Sequence, residues 1–428
     1  MKKNITHFMK MKKTIFAGIF GNSLEIYDFN IYAFYAAIIA THFFADDDFT
    51  TSLLATYGIF AAGFIMRPLG AILFGYIGDN FGRKKALEIS ILMMAIPTFI
   101  MGILPTYASI GILAPLFLTI LRMFQGISVG GELVGSYSFL IEHAPNDQKG
   151  FIGSWSLVGA FGGKMLAGIV IAIVAIFLSV ESVASYGWRI PFITGIFFAY
   201  IGFRFRKGVT ETPVFENNSN DHKVKPWHVI KTYKWSILQA ICTSVVHTVS
   251  VYTIFIYMPI YMSTVIGVES QTSLFSTIAA LCITTFLLPF GGILSDSYGR
   301  KKILLLGSIT LCAIAFPAFS LINSGNSLLM ILGHLSLATI FGVLHGPIPA
   351  FFVELFPSRV RYTASAIAYN ICTGVFGGFT PFICTWLINV ADIPLGNLYW
   401  LIFSGFISII GTLTINENAV RSNSLVKA

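Results

Sequence analysis

Charge is what this chain has least of. Only 11% of its 428 residues are Asp, Glu, Lys or Arg, against about 25% in a soluble domain. Hydrophobic residues make up 55%, and the mean hydropathy is +0.78. That shortage excludes a soluble globular protein and leaves a polytopic membrane protein. Cysteine is also scarce: Cys242, Cys282, Cys312, Cys372 and Cys384 all fall in apolar runs without C-x-x-C spacing. Free buried thiols are expected, and neither a disulfide framework nor a metal site. No nucleotide-binding loop, metal-ligand cluster or nucleophile–base pairing stands out, so no cofactor is implied and an enzyme is disfavoured. The basic N-terminus, MKKNITHFMKMKK, precedes an apolar stretch that lacks an A-x-A-like cleavage site. That stretch reads as a first membrane helix rather than a cleaved signal peptide.

What is present is long apolar runs. About 20 residues span a bilayer, and runs of that order recur twelve times, near 14–43, 52–76, 86–104, 112–141, 150–178, 189–203, 235–264, 271–294, 303–322, 327–353, 362–390 and 396–415. The expected architecture is all-α: twelve transmembrane helices in two pseudo-symmetric six-helix halves, 1–203 and 235–415. A hydrophilic loop over 204–234 separates them, and a short tail over 416–428 follows.

The basic residues set the orientation. With the N-terminus inside, 23 of the 27 Lys and Arg fall on the inner side, as the positive-inside rule requires. The outer loops instead carry Asp46, Asp47 and Asp48, Glu181, Glu269 and Asp392. The net charge of +8 is therefore a topology signal with both termini cytoplasmic, not a sign of nucleic-acid binding. The lipid bilayer is the implied surrounding.

The two halves repeat. GYIGDNFGRKK at 75–85 matches GILSDSYGRKK at 292–302, offset by 217, each between the second and third helix of its half. EHAPNDQK at 142–149 and ELFPSRVR at 354–361 likewise share Glu, a Pro three later and a basic residue seven later. Parallel halves of this kind suit a protein that rocks about a midplane site.

The few charges inside the spans are concentrated in the first half. Asn22, Glu25, Asp28, Tyr32 and Tyr35 are spaced 3, 3, 4 and 3 and so share one helical face. Arg122, Gln125 and Glu132 share a face of the fourth helix, while Arg67 and Lys164 sit at similar depth in the second and fifth. One reading is a set of internal ion pairs that fix packing. The other is a polar cavity, because intramembrane ionisable residues usually mark substrate or proton paths. On that reading Asp28, Glu25 and Glu132 are candidate proton sites. Arg122, Lys164, Gln125, Tyr32 and Tyr257 are candidate substrate-binding residues, with Arg122 and Lys164 facing a carboxylate. The second half offers His247, His345 and the aromatic series Tyr252, Tyr257 and Tyr261. That series is either packing or a wall for an ammonium group held by cation–π attraction. Gly126 with Gly130, and Gly159 with Gly163, have the G-x-x-x-G spacing of close helix contacts.

The paired G-x-x-x-D-x-x-G-R-K-K loop resembles the signature of the major facilitator superfamily. GNSLEIYDFNIYAF, RPLGAILFGYIGDNFGRKK, LRMFQGISVGGELVGSYSFLIEHAP, YGWRIPF, ETPVF and ELFPSRVRYTASAIAYN are similar to its metabolite:proton symporter family, in particular to the proline and betaine carriers. The resemblance implies proton-coupled uptake of a small zwitterion through a bacterial inner membrane, by alternating access and as a monomer. A mono- or dicarboxylate substrate and an uncoupled facilitator are the alternatives. Ile26 stands where the family has Trp, and Lys164 where a small or neutral polar residue is usual. The residues after the twelfth span hold no heptads, so the coiled coil of some osmosensory betaine carriers is not expected. In the loops, Asp79, Arg83 and Glu142, with their counterparts Asp296, Arg300 and Glu354, are expected to act as latches. The aspartates would cap a neighbouring helix or pair with the arginines.

Overall fold

A computed structural model describes residues 19, 22, 23, 25–44, 48–81, 83–142, 144–207, 226–357 and 360–416, with side chains at most of them. The chain is all helix among these residues. The helices are α1 (25–43), α2 (Phe49–Ile65 continuing as Arg67–Phe81), α3 (Arg83–Ile103), α4 (Leu113–Glu142), α5 (Lys149–Phe177) and α6 (Arg189–Lys207). The second half has α7 (Trp227–Val265), α8 (Ser270–Tyr298), α9 (Arg300–Ile322), α10 (Ser327–Leu355), α11 (Thr363–Asn389) and α12 (Gly396–Leu413). Among the described residues, nine helices are long and apolar enough to cross a membrane on their own. The sixth span runs four residues beyond its expected end at 203. The seventh departs from helical geometry at Tyr233, beside its expected start at 235. Both stretches of helix occupy the ends of the expected 204–234 loop, whose residues 208–225 lie outside those described.

Local chemistry sets where several helices begin and end. The Asp48 carboxylate accepts from the Thr50 and Thr51 amides and starts α2, and Asn326 does the same for α10 through Leu328 and Leu329. Such caps satisfy amides that the helix itself leaves unpaired. Gly299, at φ 96°, makes the turn between α8 and α9 that a side chain would strain. At the opposite helix ends, Lys301 Nζ donates to the Leu413 and Ile415 carbonyls at the end of α12. Arg189 donates to the Gly102 and Leu104 carbonyls at the end of α3. Cations suit these sites because the helix dipole is negative there.

The burial pattern is inverted relative to a soluble protein. Large apolar side chains such as Phe177, Phe286, Phe316 and Ile410 face outward, while Arg122, Gln125, Asn370, His334 and Thr284 are fully or almost fully buried. Lipid is the solvent that makes such an exterior stable. Inside, glycines let backbones touch. A Cβ on Gly126 would strike the Gly63 carbonyl and one on Gly130 the Arg67 carbonyl, so α4 crosses α2 at backbone contact. Gly159 and Gly163 meet Ile19 and Ser23 in the same way. The second half repeats the α2–α4 crossing in α8 and α10, where Gly291 meets the Val343 carbonyl and Gly346 the Leu288 carbonyl. Both G-x-x-x-G expectations thus hold. All five cysteines are free thiols.

Candidate functional site

The buried polar groups fall into three places rather than one. The first lies inside the N-terminal half, among α1, α3, α4 and α6. Asp28 is buried, and its Oδ1 has no hydrogen-bond partner among the described residues. It lies against α6 at Gly195, where an added Cβ would stand 2.6 Å from Oδ1 and 3.2 Å from Thr98 Cγ2. Thr98 accepts from Gln125 Nε2 at 2.7 Å, and Gln125 Oε1 accepts from Arg122 Nη1 at 2.7 Å. Arg122 Nη1 also approaches the Phe29 carbonyl at 3.3 Å. The guanidinium carbon lies 4.2 Å from the Phe29 ring centre, 4.4 Å from that of Tyr32 and 5.1 Å from that of Phe60. Its Nε and Nη2 have no hydrogen-bond acceptor among the described residues; the rings are its counter-surface. Arg122 and Asp28 are not paired directly: the Arg122–Gln125 chain ends at the Thr98 hydroxyl, which donates to the Met94 carbonyl, while the Thr98 methyl and Asp28 both flank Gly195. Glu25 is buried one turn away from Asp28.

The second place is the seam between the halves. Lys164 of α5 is 7% exposed, stands 4.7 Å over the Phe161 ring, and makes no hydrogen bond or ion pair among the described residues. Across the seam, His345 of α10 packs against the same Phe161 ring at 5.9 Å and stacks on Phe341 at 4.6 Å. Its Nδ1 is 3.1 Å from His247 Nδ1 on α7, so the two imidazoles share one proton between them. Nearby, Arg67 of α2 reaches across the seam. Its Nε donates to Asn370 Oδ1 of α11 at 3.0 Å, and Asn370 Nδ2 donates back to the Gly130 carbonyl of α4 at 2.7 Å. Neither Glu25 nor Asp28 pairs with Arg67 or Lys164: Arg67 is held by an amide, between the rings of Phe64 and Tyr369.

Aromatic rings continue the seam away from the loops. Phe60 and Phe64 of α2 meet Tyr252 of α7, and Tyr57 meets Tyr257 at 6.4 Å, with Tyr261 beyond it. Two π-helical turns, Tyr252–Tyr257 and Tyr261–Val265, widen α7 here; such turns are frequent at functional sites. Tyr32 belongs to the Arg122 cluster, its hydroxyl donating to the Thr56 carbonyl at 2.9 Å.

The third place is the end of the molecule that carries the repeated loop motif. Asp296 of α8 accepts from the Gly150 and Phe151 amides at 2.8 and 2.9 Å, capping α5 of the opposite half. Arg300 bonds Asp296 at 2.7 Å and Glu354 at 3.1 Å. The aspartate thus both caps a helix and pairs with its arginine. Glu142 is exposed on the loop side of α4. The side chains of Asp79, Arg83 and Glu132 lie outside those described.

Some of these residues could not have been singled out from the sequence. Asn370 is one polar residue in an apolar helix, 303 positions from Arg67. Thr98 and Phe161 carry no motif at all. His247 and His345, read as isolated histidines, are a contacting pair 98 positions apart.

The comparisons with known proteins follow this geometry. The Major Facilitator Superfamily model matches residues 18–381. A proline/betaine transporter of Salmonella typhimurium strain LT2 is 34% identical over 424 residues, which cover 96% of this chain and 85% of that one. A putative proline/betaine transporter of Staphylococcus aureus strain COL is 33% identical over 420 residues, covering 96% and 89%. Among solved structures, the fold is similar to the proton:xylose symporter XylE bound to 6-bromo-6-deoxy-D-glucose, with a TM-score of 0.76 over 94% of both chains at 18% identity. It is also similar to a partially occluded inward-open conformation of XylE from E. coli, with a TM-score of 0.74 over 94% of this chain and 96% of that one at 17% identity. The multi-pass helical architecture, the duplicated loop motif and these matches together place the chain in the major facilitator superfamily, as a membrane transporter and not an enzyme.

Proposed function

We propose that the chain is a proton-coupled symporter that takes up a small zwitterion, such as proline or glycine betaine, by alternating access. It works as a monomer in a bacterial inner membrane with both termini cytoplasmic, and the divide between its halves falls within 204–234. The observation that carries the reading is Lys164, a buried cation at the seam with no acceptor among the described residues. A solute carboxylate supplies that acceptor, and the rings of Tyr252, Tyr257 and Tyr57 offer faces to an ammonium group. The relatives named proline/betaine transporter agree with such a ligand.

Coupling is assigned to Asp28. Its buried Oδ1 has no partner among the described residues, and a carboxylate in that position carries its charge at high cost. Proton uptake relieves that cost at the contact of α1 with α6 beside Gly195. The Asp296–Arg300–Glu354 cluster acts as the latch at the loop end, and Asp79, Arg83 and Glu142 are proposed as its counterpart. A mono- or dicarboxylate solute is the second reading, favoured by a second cation, Arg67, at the same seam as Lys164. A labelled-solute panel in proteoliposomes, with and without an imposed pH gradient, tests both coupling and solute class.

A further inference from the structure

We infer that Lys164 and the His247–His345 pair form one carboxylate-binding site, built half from each domain and closed only when the two halves meet. The inference rests on the reading that the solute carries a carboxylate, and it names what the C-terminal half contributes. Phe161 is the common floor: Lys164 Nζ is 4.7 Å above its ring, and the His345 ring meets it at 5.9 Å. Lys164 comes from α5, and His345 and His247 come from α10 and α7, so the group they hold bridges the seam.

Two polar groups here lack partners although each residue is more than nine-tenths buried. Lys164 is 7% exposed and makes no hydrogen bond among the described residues. His247 is 4% exposed, and its Nε2 is buried with no partner among the described residues. The other buried histidine among the described residues, His334, is fully satisfied, by Ser276 and the Ile254 carbonyl. An unmatched buried polar group costs free energy, which a bound carboxylate at this place offsets.

The surrounding charges fix the sign of the ligand. Among the described residues, Lys164 and the two imidazoles are the ionisable groups gathered at the Phe161 ring. No Asp or Glu among the described residues pairs with Lys164. Arg67, at the same seam, gives its Nε to Asn370 Oδ1. An ammonium from one half and two imidazoles from the other suit a carboxylate: the ammonium supplies charge and an imidazole N–H a hydrogen bond. Because the donors belong to different halves, an arriving carboxylate favours their closure.

The test uses the purified full chain in detergent and in proteoliposomes, with L-proline, glycine betaine and 2-oxoglutarate as probes and L-prolinamide as the counterpart that lacks the carboxylate. Thermal stabilisation reads binding without requiring transport. The expected result is that at least one carboxylate probe stabilises the wild type and the amide does not. Lys164→Gln, His345→Gln and His247→Gln should each weaken that probe roughly tenfold or more, as loss of a hydrogen bond to a charged group does. Lys164→Arg should keep preference for carboxylate over amide. The Lys164→Gln/His345→Gln double variant should lose little beyond the worse single variant, because both residues hold the same group. His247→Gln leaves the Lys164–Phe161 contact untouched, so it reads the site even if His345→Gln fails to fold. Failure of every carboxylate probe to stabilise the wild type overturns the site, as does unchanged affinity in folded His247→Gln and Lys164→Gln. A carboxylate that binds through these residues but is not accumulated by a pH gradient defeats the symport reading instead and leaves the site standing.

Discussion

Substituting Asp296 isolates the contact that holds the loop end of the two halves together. Its carboxylate accepts from two backbone amides of α5 and from Arg300, and its side chain is only 8% exposed. Each hydrogen bond to a charged group contributes about 1.5–3 kcal/mol. Asp296→Ala removes both caps, while Arg300 keeps Glu354 as a partner at 3.1 Å. A net loss of about 3 kcal/mol from the state closed at this end follows, which is about a hundredfold in the closed-to-open ratio. Asp296→Asn retains an oxygen acceptor without the charge, so its effect should be about half as large in free energy. The assay is the distance distribution between spin labels at Asn146 and Ser297, exposed positions of opposite halves at this end, in a background lacking the five native cysteines. The wild type should give mostly the short distance and Asp296→Ala mostly the long one, with surface expression retained. An unchanged distribution in Asp296→Ala refutes the latch, whatever happens to uptake.

Three further outcomes follow from the same geometry. Asp28→Asn should abolish gradient-driven accumulation yet preserve solute exchange down its own gradient, which a counterflow measurement separates. Asn370→Ala removes the acceptor of Arg67 Nε and the donor to the Gly130 carbonyl; the seam should then open more readily, read as faster alkylation of a cysteine placed there. Gly126→Val forces a side chain into the Gly63 carbonyl and should lower the detergent unfolding temperature, since overpacking costs about 1–3 kcal/mol or more. Unaltered stability of Gly126→Val would mean that α2 and α4 do not cross at backbone contact.

The twelve helices and their division into repeating halves were legible because run length and loop chemistry are local properties. The same holds for the G-x-x-x-G crossings, where spacing alone dictates a smooth stripe. The face of α1 was legible too, but not its neighbours. Asn22, Asp28 and Tyr32 share one side of the helix, yet they meet three different surroundings: Ser136 and the Ser156 carbonyl, Gly195 of α6, and the Thr56 carbonyl of α2. Helical spacing fixes direction around one axis, while a bundle surrounds that axis with several helices. For the same reason the expected single cavity of acids and bases resolves into a cluster inside the N-terminal half and a separate one at the seam. Arg67 finds an amide rather than a carboxylate because its partner is set by how α2 packs on α11. The His247–His345 contact joins helices of one half in a way that no short-range pattern encodes.

Proton coupling is the central claim, and uptake of labelled proline and glycine betaine into proteoliposomes tests it most directly. With the acidic side outside, wild-type protein should accumulate at least one of the two above equilibrium, and collapsing the pH gradient with a protonophore should return it to equilibrium. Uptake that reaches the same level with and without the gradient would contradict the account.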